Sequence, residues 1–375
     1  MLKSLLCVFI SSFCVPTPAN AGGDFIAYEE LRGVIEQLER DKVYAPGELD
    51  AIFAQVARDE GVLKAIARPA EGTKEWKDYR PIFMTAERVD KGVEFWRQHA
   101  DTLARAEQTY GVPAEMIVAI LGVETKYGGN KGRSRVLDAL TTIGLDYPPR
   151  APFFRKELRE FLVLSKENGL DPLNTYGSYA GAMGYPQFMP SSWRKLAVDF
   201  DGDGRRDLIN NPVDAIGSIA NYFKANGWKT GEPVVTRARI IGQDYDSILS
   251  KELSTNSSLD EIAKKGLVPR LEGAYLAQAP ASAIRLQGEN GGEFWLGFTN
   301  FYVITKYNRS VMYAMAAFQL SQELRAAYEQ APTANADASA VTGQPVVTPA
   351  VVPAAPLKVP AATSTPASAP VPSKP

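Results

Sequence analysis

The chain is poor in sulfur and imidazole side chains. Only two of its 375 residues are Cys and one is His. Both cysteines, Cys7 and Cys14, lie in the N-terminal leader described below, so the rest of the chain cannot form disulfides. The single His99 lies in the polar run FWRQHA and is predicted to be a helix-surface residue. Ser-His-Asp triads, Cys-His dyads and His-ligated zinc sites are excluded, which leaves carboxylates, hydroxyls, amides and aromatic rings for chemistry.

The chain also lacks an excess of charge. It has 41 basic and 43 acidic residues, a formal net charge of -2. A nucleic-acid partner would require a basic face, so none is expected. The hydrophobic content of 45% is ordinary for a globular protein of this length, which can bury one large core or several smaller ones.

The two ends of the chain differ from its middle. Residues 1–21 contain a lysine, an apolar stretch from Leu5 to Val15 and a small-residue sequence, ANA. This pattern predicts a secretory signal peptide rather than a short buried helix, and its apolar part is too short for a permanent membrane anchor. Neither cysteine is placed as a lipidation site. Residues 331–375 are rich in Pro and Ala and are predicted to be a disordered tail.

Helical periodicity dominates the first half of the folded chain and its last segment. One continuous helical pattern starts at Thr85 and ends at Gly111, and SVMYAMAAFQLSQELRAAYEQ returns to the same period. Between them, EPVVTRARII and SAIRLQGENGGEFWLGFTNFYVITKY are rich in β-branched and aromatic residues, which predicts strands. We therefore expect a mainly α protein with a small β insertion at residues 231–292.

A carboxylate ends an apolar helical pattern in PAEMIVAILGVETKYGG. Pro113 begins this helix, Gly128 and Gly129 end it, and Met116, Ile120 and Glu124 share one face. Burial and the helix dipole both oppose ionisation of Glu124, which predicts a raised pKa and a proton donor near neutral pH. The alternative is a Glu that turns outward or pairs with a cation.

A second stretch, YGSYAGAMGYPQFMPSSW, combines small residues with aromatic rings. Ser178 and Gln187 are its polar groups. Small residues allow a ligand to approach the backbone, and aromatic faces suit the apolar faces of sugars. This composition favours a carbohydrate site, although a tightly packed helix junction would use the same glycines.

A third stretch, DFDGDGRRDLINNPVD, resembles a calcium loop. Asp199, Asp201 and Asp203 occupy positions 1, 3 and 5, and Arg205 would offer its carbonyl at position 7. Position 12, usually Glu, is Asn210 here. Oxygen ligands at this density favour Ca²⁺ in a structural role, the alternative being a solvated acidic turn with no ion.

Three motifs in this order, GVETKYG, GSYAGAMGYPQFMPSSW and NPVDAIGSIANYFKANGW, resemble the lytic murein transglycosylase B family. The resemblance implies a goose-lysozyme-like core, a flanking helical domain and a small β domain. It places the helical domain at residues 22–105, completed by the helix 310–330. The core would cover residues 106–230 and 293–309, and the β domain residues 231–292.

The resemblance also implies an activity and its residues. The family cleaves peptidoglycan glycan strands between N-acetylmuramic acid (MurNAc) and N-acetylglucosamine (GlcNAc) and forms 1,6-anhydromuramyl ends, in the periplasm, where other cell-wall enzymes are potential partners. Glu124 matches the single catalytic acid/base, and Asp214 matches a late ligand of the calcium loop. Positions that match substrate contacts are Tyr79, Arg150, Ser178, Gln187, Phe188, Met189, Tyr307 and Asn308. Pro149 departs from the family pattern, which has a second arginine there.

Two other functions remain open on the sequence. A hydrolytic muramidase would pair Glu124 with a second carboxylate, such as Asp138 or Asp146, that activates water. A non-catalytic murein-binding scaffold would use Glu124 only structurally, although a buried acid is costly for binding alone.

Overall fold

Helices make up most of the described residues, and one five-stranded sheet interrupts them. The computed structural model describes residues 23–67, 74–270 and 277–330; the predicted signal peptide and tail lie outside these residues. The helices are α1 (Glu29–Arg40), α2 (Glu48–Phe53), α3 (Glu60–Ile66), α4 (Trp76–Tyr79), α5 (Ala86–Gln98), α6 (Ala100–Tyr110), α7 (Ala114–Thr125), α8 (Val136–Asp146), α9 (Ala151–Asn168), α10 (Pro190–Leu196), α11 (Pro212–Ala225), α12 (Leu259–Lys264), α13 (Thr299–Tyr307) and α14 (Val311–Gln330). The strands are β1 (Ser134–Arg135), β2 (Tyr176–Gly177), β3 (Val235–Ile240), β4 (Ser257–Ser258), β5 (Leu267–Pro269), β6 (Pro280–Gly288) and β7 (Gly291–Phe298).

The helix predicted from Thr85 to Gly111 is two helices. Thr85 caps α5 as predicted, since its side chain accepts a hydrogen bond from the Arg88 N–H. The chain leaves helical geometry at His99, which links α5 to α6, and α6 ends at Gly111 in the left-handed conformation. The prediction of one continuous helix was therefore wrong. His99 is only partly exposed, and its ring lies 4.5 Å from that of Phe95.

Helix α7 is buried along almost its whole length. It ends at Thr125, before Gly128 and Gly129, where the sequence predicted its end. Lys126 and Tyr127, with φ of 51° and 61°, turn the chain out of the helix. The Tyr127 side chain then folds back against Gly92 of α5 and Gly122 of α7. A Cβ at Gly122 would lie 2.6 Å from the Tyr127 hydroxyl oxygen. These glycines let an aromatic ring fit between the two helices.

The sheet has the strand order β4-β6-β7-β3-β5, and its neighbouring strands are antiparallel. Strands β6 and β7 form a hairpin in which Gly288 pairs with Gly291. The predicted boundary at residue 292 falls inside β7. The segment TNFYVITKY, predicted as strand, is helix α13, and its residues from Asn300 to Thr305 are all buried. Burial on every side removes the alternating pattern that separates a strand from a helix, so this prediction was wrong.

Three hydrophobic clusters hold the described residues together. One joins α4 to α7 with α11, α13 and α14, a second joins α1 to α3 with α8, α9 and α10, and a third lies against the sheet. Helices α1 to α3 thus share a cluster with α8, α9 and α10. The division into domains stays a prediction.

Candidate active site

Glu124 lies in the last turn of α7 and is partly buried. The hydroxyl of Tyr313 donates a hydrogen bond of 2.5 Å to its Oε1 atom. Burial raises the pKa of Glu124 to about 7, against the smaller effect of the Tyr313 bond, which lowers it. No second carboxylate of the described residues contributes to this shift. A carboxyl group with this pKa can donate and accept a proton near neutral pH.

The helix dipole has a local counter-charge at this end of α7. The buried Arg88 side chain reaches from α5 and donates hydrogen bonds to the carbonyl oxygens of Gly122 at 3.1 Å and Ile82 at 2.5 Å. A cation at the C-terminal carbonyls of a helix offsets the negative end of the dipole. Of the two effects expected from the sequence, burial and the helix dipole, burial is the one that dominates the raised pKa of Glu124.

Two tyrosines face Glu124 from the junction of α13 and α14. Ser310 caps α14, since its Oγ accepts a hydrogen bond from the Tyr313 N–H. The Tyr307 hydroxyl donates to the Pro186 carbonyl oxygen at 2.7 Å. Burial and the nearby charge of Glu124 hold the pKa values of Tyr307 and Tyr313 well above their usual range. Both hydroxyls therefore act as neutral hydrogen-bond donors.

Asn308 and Tyr79 extend this wall in different ways. Asn308 follows Tyr307 and is exposed. Tyr79, in contrast, is buried, and its ring lies 5.1 Å from that of Phe83. Its charge contributes to the raised pKa of Tyr313, so Tyr79 lies beside the pair formed by Tyr313 and Glu124. The structure thus brings Tyr79 close to the predicted acid.

Gln187 occupies the turn after β2 in a strained left-handed conformation, with φ of 49°. Its Nε2 atom donates to the carbonyl oxygens of Gly184 at 2.9 Å and Lys131 at 3.2 Å. With the amide nitrogen held in this way, the Oε1 atom is the group that Gln187 can offer to a ligand. Ser178 Oγ accepts backbone N–H bonds within the same segment, from Ala180 at 3.3 Å and Ala182 at 3.0 Å.

Phe188 supports the site from behind. It is only 2% exposed, and its ring packs 5.9 Å from that of Tyr307 and 5.4 Å from that of Tyr222. Because Phe188 is buried, it supports the Tyr307 ring and does not present a surface to a sugar. Met189 is partly exposed and is the N-cap residue of α10.

Two aromatic rings that the composition favoured are open to solvent. Tyr176 is 51% exposed and Tyr179 is 42% exposed, on the segment that leads from β2 toward Gln187. Arg150 is also exposed, but its guanidinium lies over the rings of Phe153 and Phe154, at 5.1 and 5.0 Å. No described contact joins Arg150 to Glu124.

The candidate second carboxylates are held in other interactions. Asp138 accepts two bonds of 2.7 Å from Arg135, and Asp146 lies 2.8 Å from Arg58 and accepts the Tyr28 hydroxyl at 3.1 Å. These contacts tie α8 to its neighbours. They leave neither group placed to activate a water at Glu124.

The acidic loop between α10 and α11 brings three of its predicted ligands together. Carboxylate oxygens of Asp199, Asp201 and Asp214 lie within 4.8 Å of one another. Calcium binds oxygen at about 2.3–2.6 Å, so two of its ligands lie up to about 5 Å apart, and the trio fits that ion. None of the ion pairs among the described residues involves these aspartates.

The other predicted ligands differ in position. Asp203 is not in the trio, and its Oδ1 atom accepts the Arg205 N–H at 2.8 Å. Asp214 is fully buried, and burial raises its pKa even though the backbone N–H groups of Phe200 and Asp207 bond to it. A buried carboxylate without a cation is costly. The trio around Asp214 is therefore the part of the loop that would hold the ion, and Arg205 would contribute only its carbonyl.

The acidic loop is bonded directly to the Gln187 turn. The Tyr185 N–H donates to the Leu208 carbonyl oxygen at 2.8 Å, and Lys131 Nζ donates to the Ile209 carbonyl oxygen at 2.7 Å. Thr125, next to Glu124, in turn donates to the Tyr185 carbonyl oxygen at 3.0 Å. The loop therefore supports the backbone on which the candidate site is built.

Comparison with known proteins places this geometry in a family. Residues 27–322 match the transglycosylase SLT domain. The chain belongs to this family. It is 43% identical over 318 residues to the membrane-bound lytic murein transglycosylase B of Escherichia coli (strain K12), over 82% of this chain and 86% of that protein.

Solved structures in the SLT family have the same fold. Catenated lytic transglycosylase SltB1 from Pseudomonas aeruginosa matches with a TM-score of 0.78 and 51% identity, over 81% of this chain and 100% of that one. The Escherichia coli lytic transglycosylase Slt35 in complex with calcium matches with a TM-score of 0.75 and 44% identity, over 82% of this chain and 96% of that one. The mainly α, lysozyme-like fold class, the resemblance and the enzyme class of peptidoglycan lytic transglycosylase are thereby confirmed.

Sequence reasoning missed two residues of the candidate site. Tyr313 lies 189 residues from Glu124 and was only part of a helical pattern. Arg88 lies in the helix after Thr85, where an arginine usually faces solvent. One signal could have identified either residue: each is a polar side chain on the apolar face of its helix.

Proposed function

We propose that Glu124 is the acid/base with which this chain cleaves the β-1,4 bond between MurNAc and GlcNAc in peptidoglycan and forms a 1,6-anhydro end. One observation carries the proposal. Glu124 is a partly buried carboxyl group with a pKa of about 7 and a fixed Oε1 atom, and no other carboxylate of the described residues contributes to its pKa shift. Glycosidases that add water usually require a pair of carboxylates, about 5–9.5 Å apart.

The reaction needs one group to give and then take a proton. Protonated Glu124 donates its proton to the glycosidic oxygen as the bond from that oxygen to the MurNAc anomeric carbon breaks. The MurNAc O6 hydroxyl attacks the same carbon, and the Glu124 carboxylate accepts the O6 proton. The acid is regenerated without water, and the attacking hydroxyl is already tethered to the reacting sugar.

Neighbouring residues have separate tasks in this scheme. Tyr313 holds Oε1, so the second carboxylate oxygen faces the substrate. The Ser178 hydroxyl can donate its proton to a ligand because its oxygen accepts two backbone bonds. The free Oε1 atom of Gln187 suits an acetamido N–H, which would orient the N-acetyl group. Tyr79, Met189, Tyr307, Asn308 and the more distant Arg150 are proposed to line the path of the strand.

Location and ion binding belong to the same proposal. Residues 1–21 would direct the chain to the periplasm, where peptidoglycan strands and other cell-wall enzymes are its partners. None of the described helices is both long and apolar enough to cross a membrane. A structural Ca²⁺ at Asp199, Asp201 and Asp214 is supported by the spacing of their oxygens and by the calcium complex of the Slt35 relative. It would supply the positive charge that balances the buried carboxylate and takes no part in the proton transfers.

Digestion of purified sacculi tests the reaction. Muropeptides one water lighter than hydrolytic products, and without reducing ends, are expected. Products with reducing ends would instead favour the muramidase, and sugar binding without any soluble product would favour the scaffold. Either result contradicts the proposal.

A further inference from the structure

A cavity lies beside α14, and Glu124 is not among the residues that line it. Its volume is about 730 Å³, within the range of roughly 300–1,000 Å³ typical of ligand sites. Neither Glu124, Tyr313 nor any residue of the acidic loop lines it. Its walls come from α4 and the residues after it, from β3 and the β6–β7 hairpin, and from one side of α14. The residues that line it include Trp76, Arg80, Arg237, Trp295, Gln322 and Glu323.

The charges on the wall of this cavity are largely paired with one another. Arg80 Nη2 lies 3.2 Å from Glu323 Oε1, and Arg237 Nη2 lies 3.2 Å from Glu293 Oε2. Lys77 is bound to a neighbouring glutamate at 2.7 Å. An anionic ligand would have to compete with these carboxylates. A neutral ligand with hydroxyl and amide groups can instead bond to guanidinium N–H groups and carboxylate oxygens together.

Two tryptophans also form part of this wall. The indole Nε1 atoms of Trp76 and Trp295 are buried, so they are not exposed to a ligand in the cavity. Arg237 covers the face of Trp295, with its guanidinium carbon 4.4 Å from the ring centre. The wall thus offers hydrogen bonds rather than an open stacking surface.

Helix α4 connects the cavity with the candidate active site. The rings of Trp76, on the cavity wall, and Tyr79 are 6.4 Å apart. Tyr79 lies beside Tyr313, which holds Glu124. One short helix therefore borders both places.

We propose that this cavity binds a neutral N-acetylamino sugar unit of the same glycan strand that is cut at Glu124. The inference rests on the proposed function, which supplies a polymeric substrate of such units. The cavity then acts as a remote anchor. Long strands gain affinity from it, whereas short oligosaccharides that end before it do not.

A blocking substitution with a matched control tests this anchor. Gln322 is exposed and lines the cavity, so Gln322→Trp fills it from the surface of α14. Gln330→Trp places the same ring on an exposed position of the same helix that does not line the cavity. The substrates are glycan strands stripped of their peptides, either long or cut to a tetrasaccharide.

The expected result is a change in KM alone. Gln322→Trp should raise KM for long strands by about 3- to 10-fold, the effect of losing one or two neutral hydrogen bonds. The kcat of Gln322→Trp and its KM for the tetrasaccharide should match those of the unchanged chain. Gln330→Trp should alter neither kcat nor KM on either substrate. Asn290→Ala, which removes a polar group from the exposed hairpin tip, should act in the same direction but less strongly.

Two results would overturn the anchor. Equal KM values for the blocked and unchanged chains on long strands mean that no sugar is bound there. A change seen only on strands that keep their stem peptides means that the cavity binds peptide. The mass of the tetrasaccharide product reports on the proposed function separately, because that substrate does not need the cavity.

Discussion

Replacing Glu124 by Gln should inactivate the enzyme and stabilise the fold. Gln keeps the shape and can still accept the Tyr313 hydroxyl bond at the atom that replaces Oε1, but it cannot donate or accept the catalytic proton. It also removes a carboxyl group that burial opposes in its charged form. The two effects have one cause, since the desolvation that makes Glu124 a useful acid also costs the folded state free energy.

The size of the stabilisation follows from the pKa shift. The pKa of Glu124 rises from an ordinary value of 4.5 to about 7 in the folded chain, and each pKa unit corresponds to about 1.36 kcal/mol. The raised pKa favours the protonated folded state, so its contribution is complete below the unfolded pKa and is lost as the pH rises toward 7. The unchanged chain should thus lose up to about 3 kcal/mol relative to Glu124→Gln by about pH 8, and only about 1 kcal/mol near pH 5.

Urea unfolding of both proteins at these two pH values measures the difference. Release of soluble muropeptides from sacculi measures activity on the same preparations. A stability difference that does not change with pH would refute the reasoning about desolvation. Full activity of the Gln variant would refute the assignment of Glu124.

Three further predictions concern the groups around this site. Tyr313→Phe removes the hydrogen bond that lowers the pKa of Glu124. The alkaline limb of the pH profile of kcat/KM should therefore move upward by about one to two pH units. An unchanged pH profile would contradict the role of Tyr313. Chelation of calcium should lower Tm, and the free energy of unfolding should fall by about 2.7 kcal/mol if the ion was present at 100 times its Kd. Asp214→Asn should abolish this response. The same Tm with calcium and with chelator would argue against an ion. Asp138→Asn breaks the bonds with Arg135 and should lower Tm while leaving the anhydro product unchanged, whereas loss of turnover in a folded variant would make Asp138 the missing second carboxylate.

Local patterns were sufficient to find the acid and the elements near it. The apolar helix ending in Glu124, the Thr85 cap, the strand at Val235–Ile240 and the last helix all follow from residue periodicity and cap chemistry. The acidic loop was recognised because Asp199, Asp201 and Asp203 are close in sequence, whereas Asp214 was assigned only from the family resemblance. Each pattern found without the resemblance depends on residues within a few positions of one another, which a sequence displays directly.

Long-range packing decided the remaining features. Residues Asn300 to Thr305 of the helix Thr299–Tyr307 are all buried, so the residue pattern could not separate a helix from a strand there. Tyr313 reaches Glu124 only because α14 packs against α7, and Arg88 reaches the Gly122 carbonyl oxygen because α5 packs against α7. The sequence by itself determined the family, the candidate acid and the acidic loop. Only the tertiary structure decided how acidic Glu124 is, because desolvation depends on which distant side chains exclude water from it.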